Sequence, residues 1–462
     1  MPQNNFNLLI KSLEQSIGKK NIYTSEEILE QFSRDETSDM SQMPDIVVKV
    51  DSASDVSKTL AICSRYNIPV IPRGAGTGVS GGAIPVKGGL VLSLERMNKI
   101  LEIDKENMIA VVEPGVITKA LQDAALEHGL MYPPDPASLD SCSIGGNVAE
   151  GAGGPRAVKY GTTKDYVTGL EFVLPNSDII NTGGKIVKNA TGYNLLGILI
   201  GSEGTLAVIT KIYLKLIPAP PAVIDLLIPF DTIEEALNVV PVLLQNRILP
   251  STIEFMEEDA IKLAKEFLKG EVPFGNAGAH LLIQIDGDSE DDVHKNAARI
   301  EQLINSKYEI IAAESAQQRE RMWKTRRSVR EAVKYASSVF FGEDSVVPRS
   351  KIAVFINDIK SYLNTLNLRS VIWGHAGDGN LHINILKDSM DRIKWEQTVP
   401  MVKEYIYKKA ISFGGTLSGE HGIGLTKKKY INLAVSQEGI ELSKRIKAAF
   451  DPNNILNPGK IF

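Results

Sequence analysis

From Asp45 onward, short apolar runs alternate with stretches of helical periodicity. Ile46 to Val50, Ile68 to Ile71, Leu90 to Leu94, Ile109 to Glu113 and Leu170 to Leu174 read as strands, with helices predicted from a cap near Ser54 and again after Thr118. Lys211 to Leu216 alternates with period two and runs into Ile217-Pro218-Ala219-Pro220-Pro221-Ala222-Val223. Three prolines in seven residues suit neither a helix interior nor a central strand, so a domain boundary is expected here. Beyond it, strand-like runs at 222–228, 280–285, 310–313 and 339–341 alternate with helices predicted over 232–245, 257–269, 289–306 and 315–335. The pattern predicts α/β units on both sides of the boundary, and 462 residues exceed one ordinary core, so two or three domains are expected. Phe6, Leu9, Ile10, Leu13 and Ile17 recur at helical spacing, interrupted by Lys11 and Glu14, which predicts an amphipathic helix packed on the body rather than a signal peptide. The coil from Phe450 to Lys460, rich in Pro, Asn and Gly, is expected to be ordered only where it docks onto another part of the protein. No internal repeat is visible.

The clearest local signal lies between Ile372 and Leu386: an apolar run, a Gly377-Asp378-Gly379-Asn380 turn, then strict alternation, which predicts a hairpin. A turn at 377–380 pairs Ala376 with Leu381 and sets His375 opposite His382. Facing Cβ atoms are then about 5 Å apart, within reach of one divalent ion. Asn384 shares the His382 face. On spacing alone, two histidines hydrogen-bonded to each other are the simpler account. Three of the chain's six histidines fall in this stretch and in Gly419-Glu420-His421-Gly422, where a surface carboxylate and a polar helix entry are the plain alternatives. Arg319, Trp323, Arg326 and Arg330 form one helical stripe, either a solvated basic face or a grip for a carboxylate.

A net charge of −5 gives no bias toward nucleic acid. No stretch approaches the roughly 18 apolar residues of a membrane span, so any membrane contact is expected to be peripheral, through a partner. The two cysteines, Cys63 and Cys142, exclude a four-cysteine iron–sulfur cluster and a disulfide framework, which points to a reducing cytoplasm. Cys63 shares a helix face with Val56 and Leu60 and reads as core.

Residues 72–83 read Pro-Arg-Gly-Ala-Gly-Thr-Gly-Val-Ser-Gly-Gly-Ala. Gly76, Gly78 and Gly81 satisfy G-x-G-x-x-G, but Ile84-Pro85-Val86-Lys87-Gly88-Gly89 follows and cannot start the helix that a dinucleotide fingerprint requires. What remains is unobstructed backbone with Arg73, Thr77 and Ser80, suited to wrapping a diphosphate, or else a flexible surface loop. Two more segments poor in side chains, 134–154 and 201–210, suggest a long ligand contacted by backbone.

Taken together, the 72–83 loop, Cys142 to Gly154, Gly201 to Thr210, Trp323-Lys324-Thr325-Arg326, Gly374 to Asn384, Gly419 to Gly424 and Leu456-Asn457-Pro458-Gly459 resemble the FAD-linked oxidases of the vanillyl-alcohol oxidase and p-cresol methylhydroxylase superfamily. The resembling branch contains D-lactate dehydrogenase, D-2-hydroxyglutarate dehydrogenase and the glycolate oxidase flavin subunit, and the likeness runs from Asp45 to Lys460. The resemblance implies a mixed α+β and α/β architecture. A helical segment over 1–44 would precede a two-subdomain FAD-binding domain of the p-cresol methylhydroxylase type at 45–217. An α/β, ferredoxin-like cap at 218–415 and a segment at 416–462 returning to the flavin would follow.

It implies noncovalent FAD held by Arg73, Gly74, Ala75, Gly76, Thr77, Gly78, Ser80 and Gly81 at the diphosphate. Asp135, Ser138, Gly145, Gly146, Asn147, Ala149, Gly153, Gly154, Tyr160, Glu203, Gly204, Ile209 and Asn457 would line the rest. These loops hold no histidine for a covalent link, and His128 reads as a structural residue on an amphipathic helix. The resemblance further implies that His375, His382 and Glu420 ligate a divalent metal, zinc first with manganese or iron as alternatives, and that His421 is the general base. Arg326 would meet the substrate, with Arg330, Lys351 and Asn384 as further contacts. The expected reaction is oxidation of a D-2-hydroxy acid, lactate or glycolate ahead of 2-hydroxyglutarate. Electrons would pass to an electron-transfer flavoprotein, a quinone or an iron–sulfur subunit. A flavin transferase like alkyl-dihydroxyacetone-phosphate synthase and an electron-relay subunit of a larger complex are the competing readings.

Overall fold

The computed structural model describes residues 3–270, 272–304, 307–313 and 315–462, which divide into two compact units. The first comprises 1–152, 162–219 and 420–462, and the second 153–161 and 220–419. No helix among the described residues is long and apolar enough to cross a membrane.

Strands of the first unit are β1 (Ile22–Tyr23), β2 (Ile46–Lys49), β3 (Val70–Arg73), β4 (Leu90–Ser93), β5 (Ile100–Asp104), β6 (Ile109–Val112), β7 (Leu130–Met131), β8 (Val167–Val173), β9 (Ile179–Gly183), β10 (Val208–Lys215) and β11 (Ile217–Pro218). One sheet has the order β1-β2-β4-β3, and its three long strands are parallel. Ile46, Val47, Val48, Leu90, Val91 and Leu92 are all fully buried, as expected of parallel strands covered on both faces. The helix Gln3–Ile17 buries Leu9 and Leu13 in the same core as the helix Ala53–Tyr66, including Cys63, whose thiol burial pushes up to about 12. That second helix is capped by Ser52, not Ser54: the Ser52 hydroxyl accepts the Asp55 N–H at 3.2 Å, where three-residue spacing places a cap.

The second sheet, β5-β6-β10-β8-β9, corrects the expected α/β pattern, because every pairing in it is antiparallel. Short turns join β5 to β6 and β8 to β9, too short for the crossover that parallel strands need. The tail is ordered because it adds to the parallel sheet. Val70 N–H donates to the Ile455 carbonyl at 2.7 Å, Asn457 N–H donates to the Val70 carbonyl at 2.8 Å, and Ile455 and Leu456 are buried in the core.

Strands of the second unit are β12 (Ala222–Phe230), β13 (Thr252–Glu257), β14 (Ala279–Gly287), β15 (Ile311–Ala313), β16 (Phe340–Val346), β17 (Arg369–His375) and β18 (Asn380–Leu386). They form one sheet of order β15-β12-β14-β13-β17-β18-β16, antiparallel throughout, again unlike the α/β units expected. Helices Ile233–Gln245, Glu258–Leu268, Glu290–Leu303, Ala316–Ala336, Ile352–Thr365 and Arg392–Ser412 connect them. The helix expected over 289–306 is capped by Ser289, and its expected last two residues lie outside the described residues.

This sheet contains a topological repeat that the sequence conceals. Numbering strands within each half, β12 to β15 lie in the order 4-1-3-2, the arrangement of a split β-α-β-β-α-β unit. In the other half β16, β17 and β18 play strands 1, 2 and 3, and the fourth strand is reduced to a bridge between Thr416 and Val346. The halves join second strand to second strand, so β13 pairs with β17 and Glu254 faces His375.

The docked tail makes a direct prediction. Leu456→Ala, at a fully buried position, should cost about 2–5 kcal/mol in chemical denaturation. A loss below ~0.5 kcal/mol would show that the tail is not part of the core.

Candidate active site

The seam between the two halves carries a cluster of buried polar groups. Glu254 is fully buried. Its Oε1 accepts from His375 Nδ1 at 2.6 Å, and its Oε2 lies 2.5 Å from Arg326 Nη2. The arginine contact is an ion pair without hydrogen-bond alignment, and Arg326 Nε has no partner. Burial alone would raise the Glu254 carboxyl, but Arg326 and His375 outweigh it and hold the group below the ordinary carboxylate range.

The hairpin expected from the sequence is present with its register moved by two residues. His375 lies opposite Asn380 and His382 opposite Trp373, because the turn occupies 376–379. A slip of two preserves the face. The histidines are therefore diagonal neighbours, with Nε2 atoms 3.4 Å apart and rings nearly perpendicular. Two imidazoles bound to one tetrahedral zinc at about 2.0–2.1 Å place their nitrogens ~3.3 Å apart. Since His375 directs Nδ1 at Glu254, its Nε2 is the atom available as a ligand, the usual support for a metal-binding histidine.

Of the residues expected near the substrate, Arg326 is buried in this cluster, whereas Arg330, one turn further along the same helix, is exposed. Lys351 is also exposed, in the 3₁₀ turn before the helix Ile352–Thr365. Asn384 is buried on the His382 strand, and Gly342 opposite it leaves the room its side chain occupies. Asp344, cross-strand from His382, accepts from Ser418 Oγ at 2.8 Å and Gly419 N–H at 3.0 Å. This anchors the end of the second unit one residue before Glu420. Sequence reasoning missed Glu254 because its strand was not anticipated; the only signal was the alternation around it in Thr252-Ile253-Glu254-Phe255-Met256.

In the first unit the three glycine-rich segments and the tail converge. A side chain at Gly74 would run into Ser143 Oγ, which caps the helix Ile144–Glu150, and one at Gly145 would strike Pro114. Gly76, at φ +74°, leaves space for the Arg73 guanidinium, which donates to the Arg34 carbonyl at 2.7 Å and lies over the Phe32 ring. Gly204, at φ +66°, abuts Pro72, and the Ala149 carbonyl accepts the Glu203 N–H at 2.8 Å. Asn457 Nδ2 donates to the carbonyls of Gly82 and Glu203 at 2.9 and 2.8 Å. Lys460, not anticipated, donates to the carbonyls of Gly81, Gly82 and Ile84.

Arg73 Nε, Ser80 Oγ and Asn457 Oδ1 are enclosed without partners, which fits a polar ligand lying against this backbone. Ala75, Thr77, Gly78, Asp135, Ser138 and Gly146 are half-buried along the same segments, while Ile209 is buried in β10. Asn147 is committed to Thr118 Oγ1 at 2.7 Å. Gly153, Gly154 and Tyr160 belong to the second unit, where Tyr160 donates to Asp286 at 2.6 Å. His421 is partly exposed, 3.8 Å from Glu420 Oε1. His128, expected on a helix as a structural residue, is exposed just past its end.

Residues 44–183 match the family description "FAD binding domain", and 219–461 match "FAD linked oxidases, C-terminal domain". The chain is 41% identical to glycolate oxidase subunit GlcD of Bacillus subtilis, over 93% of this chain and 92% of that one. It is 38% identical to a D-lactate dehydrogenase of Anaerostipes hadrus (97% and 96% covered) and 31% identical to a D-2-hydroxyglutarate dehydrogenase of Stutzerimonas stutzeri (98% and 98%). Among solved structures, p-cresol methylhydroxylase with substrate bound superposes with a TM-score of 0.83 at 19% identity, covering 100% of this chain and 97% of that one. Alkyldihydroxyacetonephosphate synthase does so with 0.76 at 18%, covering 98% and 85%. At those identities the structures speak for the fold.

The Glu254 cluster is testable by itself. Glu254→Gln, which leaves Arg326 buried opposite a neutral group, should cost about 3–5 kcal/mol at neutral pH. Because the Glu254 pKa is lowered, its contribution is present above the ordinary carboxylate range and lost as pH falls through the folded value. Urea denaturation of both proteins against pH should therefore show the gap closing in acid. A gap independent of pH would exclude the ionised carboxylate as its source.

Proposed function

The chain belongs to the FAD-linked oxidases, and from that premise we propose that it is an FAD- and divalent-metal-dependent dehydrogenase converting a D-2-hydroxy acid to the 2-oxo acid. The observation that carries the reading is the imidazole pair of His375 and His382, backed by buried Glu254 and Arg326. Lactate and glycolate stand ahead of 2-hydroxyglutarate as substrates, following the identities of the relatives that bear those names.

In this reading His375 and His382 are two metal ligands and Glu420 is the third. The tether supports Glu420: it follows directly on Gly419, which Asp344 holds beside the His382 strand. Two imidazoles and a carboxylate suit zinc, with manganese or iron accepting the same donors. Held by these ligands, an ion would supply acidification of the substrate hydroxyl, and FAD, which the glycine segments and Asn457 would hold noncovalently, would supply the hydride acceptor.

The chain's own groups do the rest. Arg326 offers Nε to the substrate carboxylate, Asn384 hydrogen-bonds the substrate, and His421 takes the hydroxyl proton. Their exposure sets Arg330 and Lys351 behind Arg326 as substrate contacts. Each half of the large sheet is read as a ferredoxin-like unit of the cap. Both cysteines are buried, and electrons leave to an electron-transfer flavoprotein, a quinone or an iron–sulfur partner. A transferase chemistry without net oxidation has no use for the imidazole pair, which favours the dehydrogenase.

Anaerobic stopped-flow flavin reduction across D- and L-2-hydroxy acids tests the proposal; failure of every D-acid with metal supplied would refute it. His421→Ala should retain FAD and reduce it at least ~100-fold more slowly, and unchanged kinetics would remove His421 as base. Calorimetric titration with Zn²⁺ should give one site per chain, absent in His375→Ala and His382→Ala. Undiminished binding in both variants would place the ion elsewhere.

A further inference from the structure

Two carboxylates in the first unit, those of buried Glu203 and half-buried Glu150, meet at the loop that follows His421. Glu203 occupies a left-handed turn at φ +51° and is 5% exposed. Its two oxygens accept the main-chain N–H groups of Ile423 and Gly424, both at 2.7 Å. Glu150 ends the helix Ile144–Glu150 and reaches the same point. Its Oε2 is enclosed and meets no hydrogen-bond partner. Both carboxylates close on the α-carbon of Gly422: a side chain there would run into Glu150 Oε2 and come within 2.9 Å of Glu203 Oε1. Gly422, at φ +75°, is the residue after His421, so both carboxylates stand against the main chain leaving His421.

We propose that Glu203 is a positioning residue for His421, clamping the loop after it through the Ile423 and Gly424 amides, and that Glu150 backs the clamp at the same face of Gly422. The proposal deepens the reading of His421 as the base and rests on it. It also gives Glu203 a task other than touching FAD, since both its oxygens are committed to the loop. Two carboxylates meeting in an enclosed site do not both ionise readily, and the one bearing two N–H donors is the one that keeps its charge. The other charged groups facing the pair are Asp35, Lys427 and Lys460. Burial raises both carboxyls. Glu203 adds to the rise in Glu150, whereas the two amides oppose the rise in Glu203. Lys460, lowered to about 8 by burial, already donates to three loop carbonyls. Both carboxyls are raised, Glu150 the further, so the clamp is complete between the two values and loosens as pH falls through that of Glu203 or climbs through that of Glu150.

The test is hydrogen–deuterium exchange of the peptide covering 421–426 in the FAD-loaded enzyme. Hydrogen bonds to a charged group are worth about 1.5–3 kcal/mol each, so Glu203→Ala should speed exchange there by at least ~10-fold, with Glu203→Gln between it and the wild type. Flavin reduction at saturating substrate should slow in the same order, with FAD affinity by fluorescence titration within about threefold of wild type. Glu150→Gln should keep the protection and abolish its loss at high pH. Unchanged exchange in Glu203→Ala, or loss of FAD from Glu203→Gln in place of loop opening, overturns the proposal. Loop opening without slower reduction overturns the positioning of His421. Were no hydroxy acid to reduce the wild-type flavin, the function would fall while the exchange data still decided the clamp.

Discussion

A fully buried glutamate between two strands fixes more of this molecule than any other contact. Glu254 stands at the joint between two split β-α-β halves, where a charge without partners would be intolerable. His375 and Arg326 come from the opposite half and from the long connecting helix Ala316–Ala336, so the joint, the helix and the hairpin must all be in place for the charge to be matched. Such pairs add little net stability beyond what an apolar contact would give, but they penalise wrong registers heavily. The same carboxylate sets the chemistry. By taking the Nδ1 side of His375 it turns Nε2 toward His382.

The first unit is governed by the opposite device, an absence of side chains. Gly74 and Gly145 let their segments approach Ser143 and Pro114 to distances that a Cβ would forbid, and Gly204 supplies a left-handed turn at φ +66°. Backbone brought so close exposes carbonyls, and Asn457 and Lys460 cover them with five hydrogen bonds from the last residues of the chain. The tail is thus a structural part of the cradle, and its Pro/Asn/Gly composition reflects a path dictated by what it must reach.

What the sequence disclosed follows from which signals are local. The hairpin and the amphipathic first helix each rest on neighbours within a few residues, and each is found where the pattern put it. Hairpin register depends on turn geometry, which the Gly377-Asp378-Gly379-Asn380 motif left open by two residues, yet the shared face survived because strand periodicity is two. The antiparallel direction of the sheets was hidden because spacing of runs constrains strand order and direction only weakly. Glu254 was hidden for a deeper reason. A glutamate between Ile253 and Phe255 looks like the solvent face of an edge strand, and only the partner strand 121 residues away shows that both faces are buried.

The histidines show why residue type alone does not define a site. His280 is as buried as His375, at 1% and 3% exposure, and also lies on a strand of the large sheet. Neither of its nitrogens has a hydrogen-bond partner, it stands edge-on to Phe274, and burial pushes it down to about 4, so near neutral pH it is an uncharged ring in an apolar core. His375 differs only in its neighbours: a carboxylate on one nitrogen and a second imidazole at the other. A metal site needs lone pairs that converge and a partner that holds them in place. In the proposed reading the joint between the two halves would supply both at His375, and neither is found at His280.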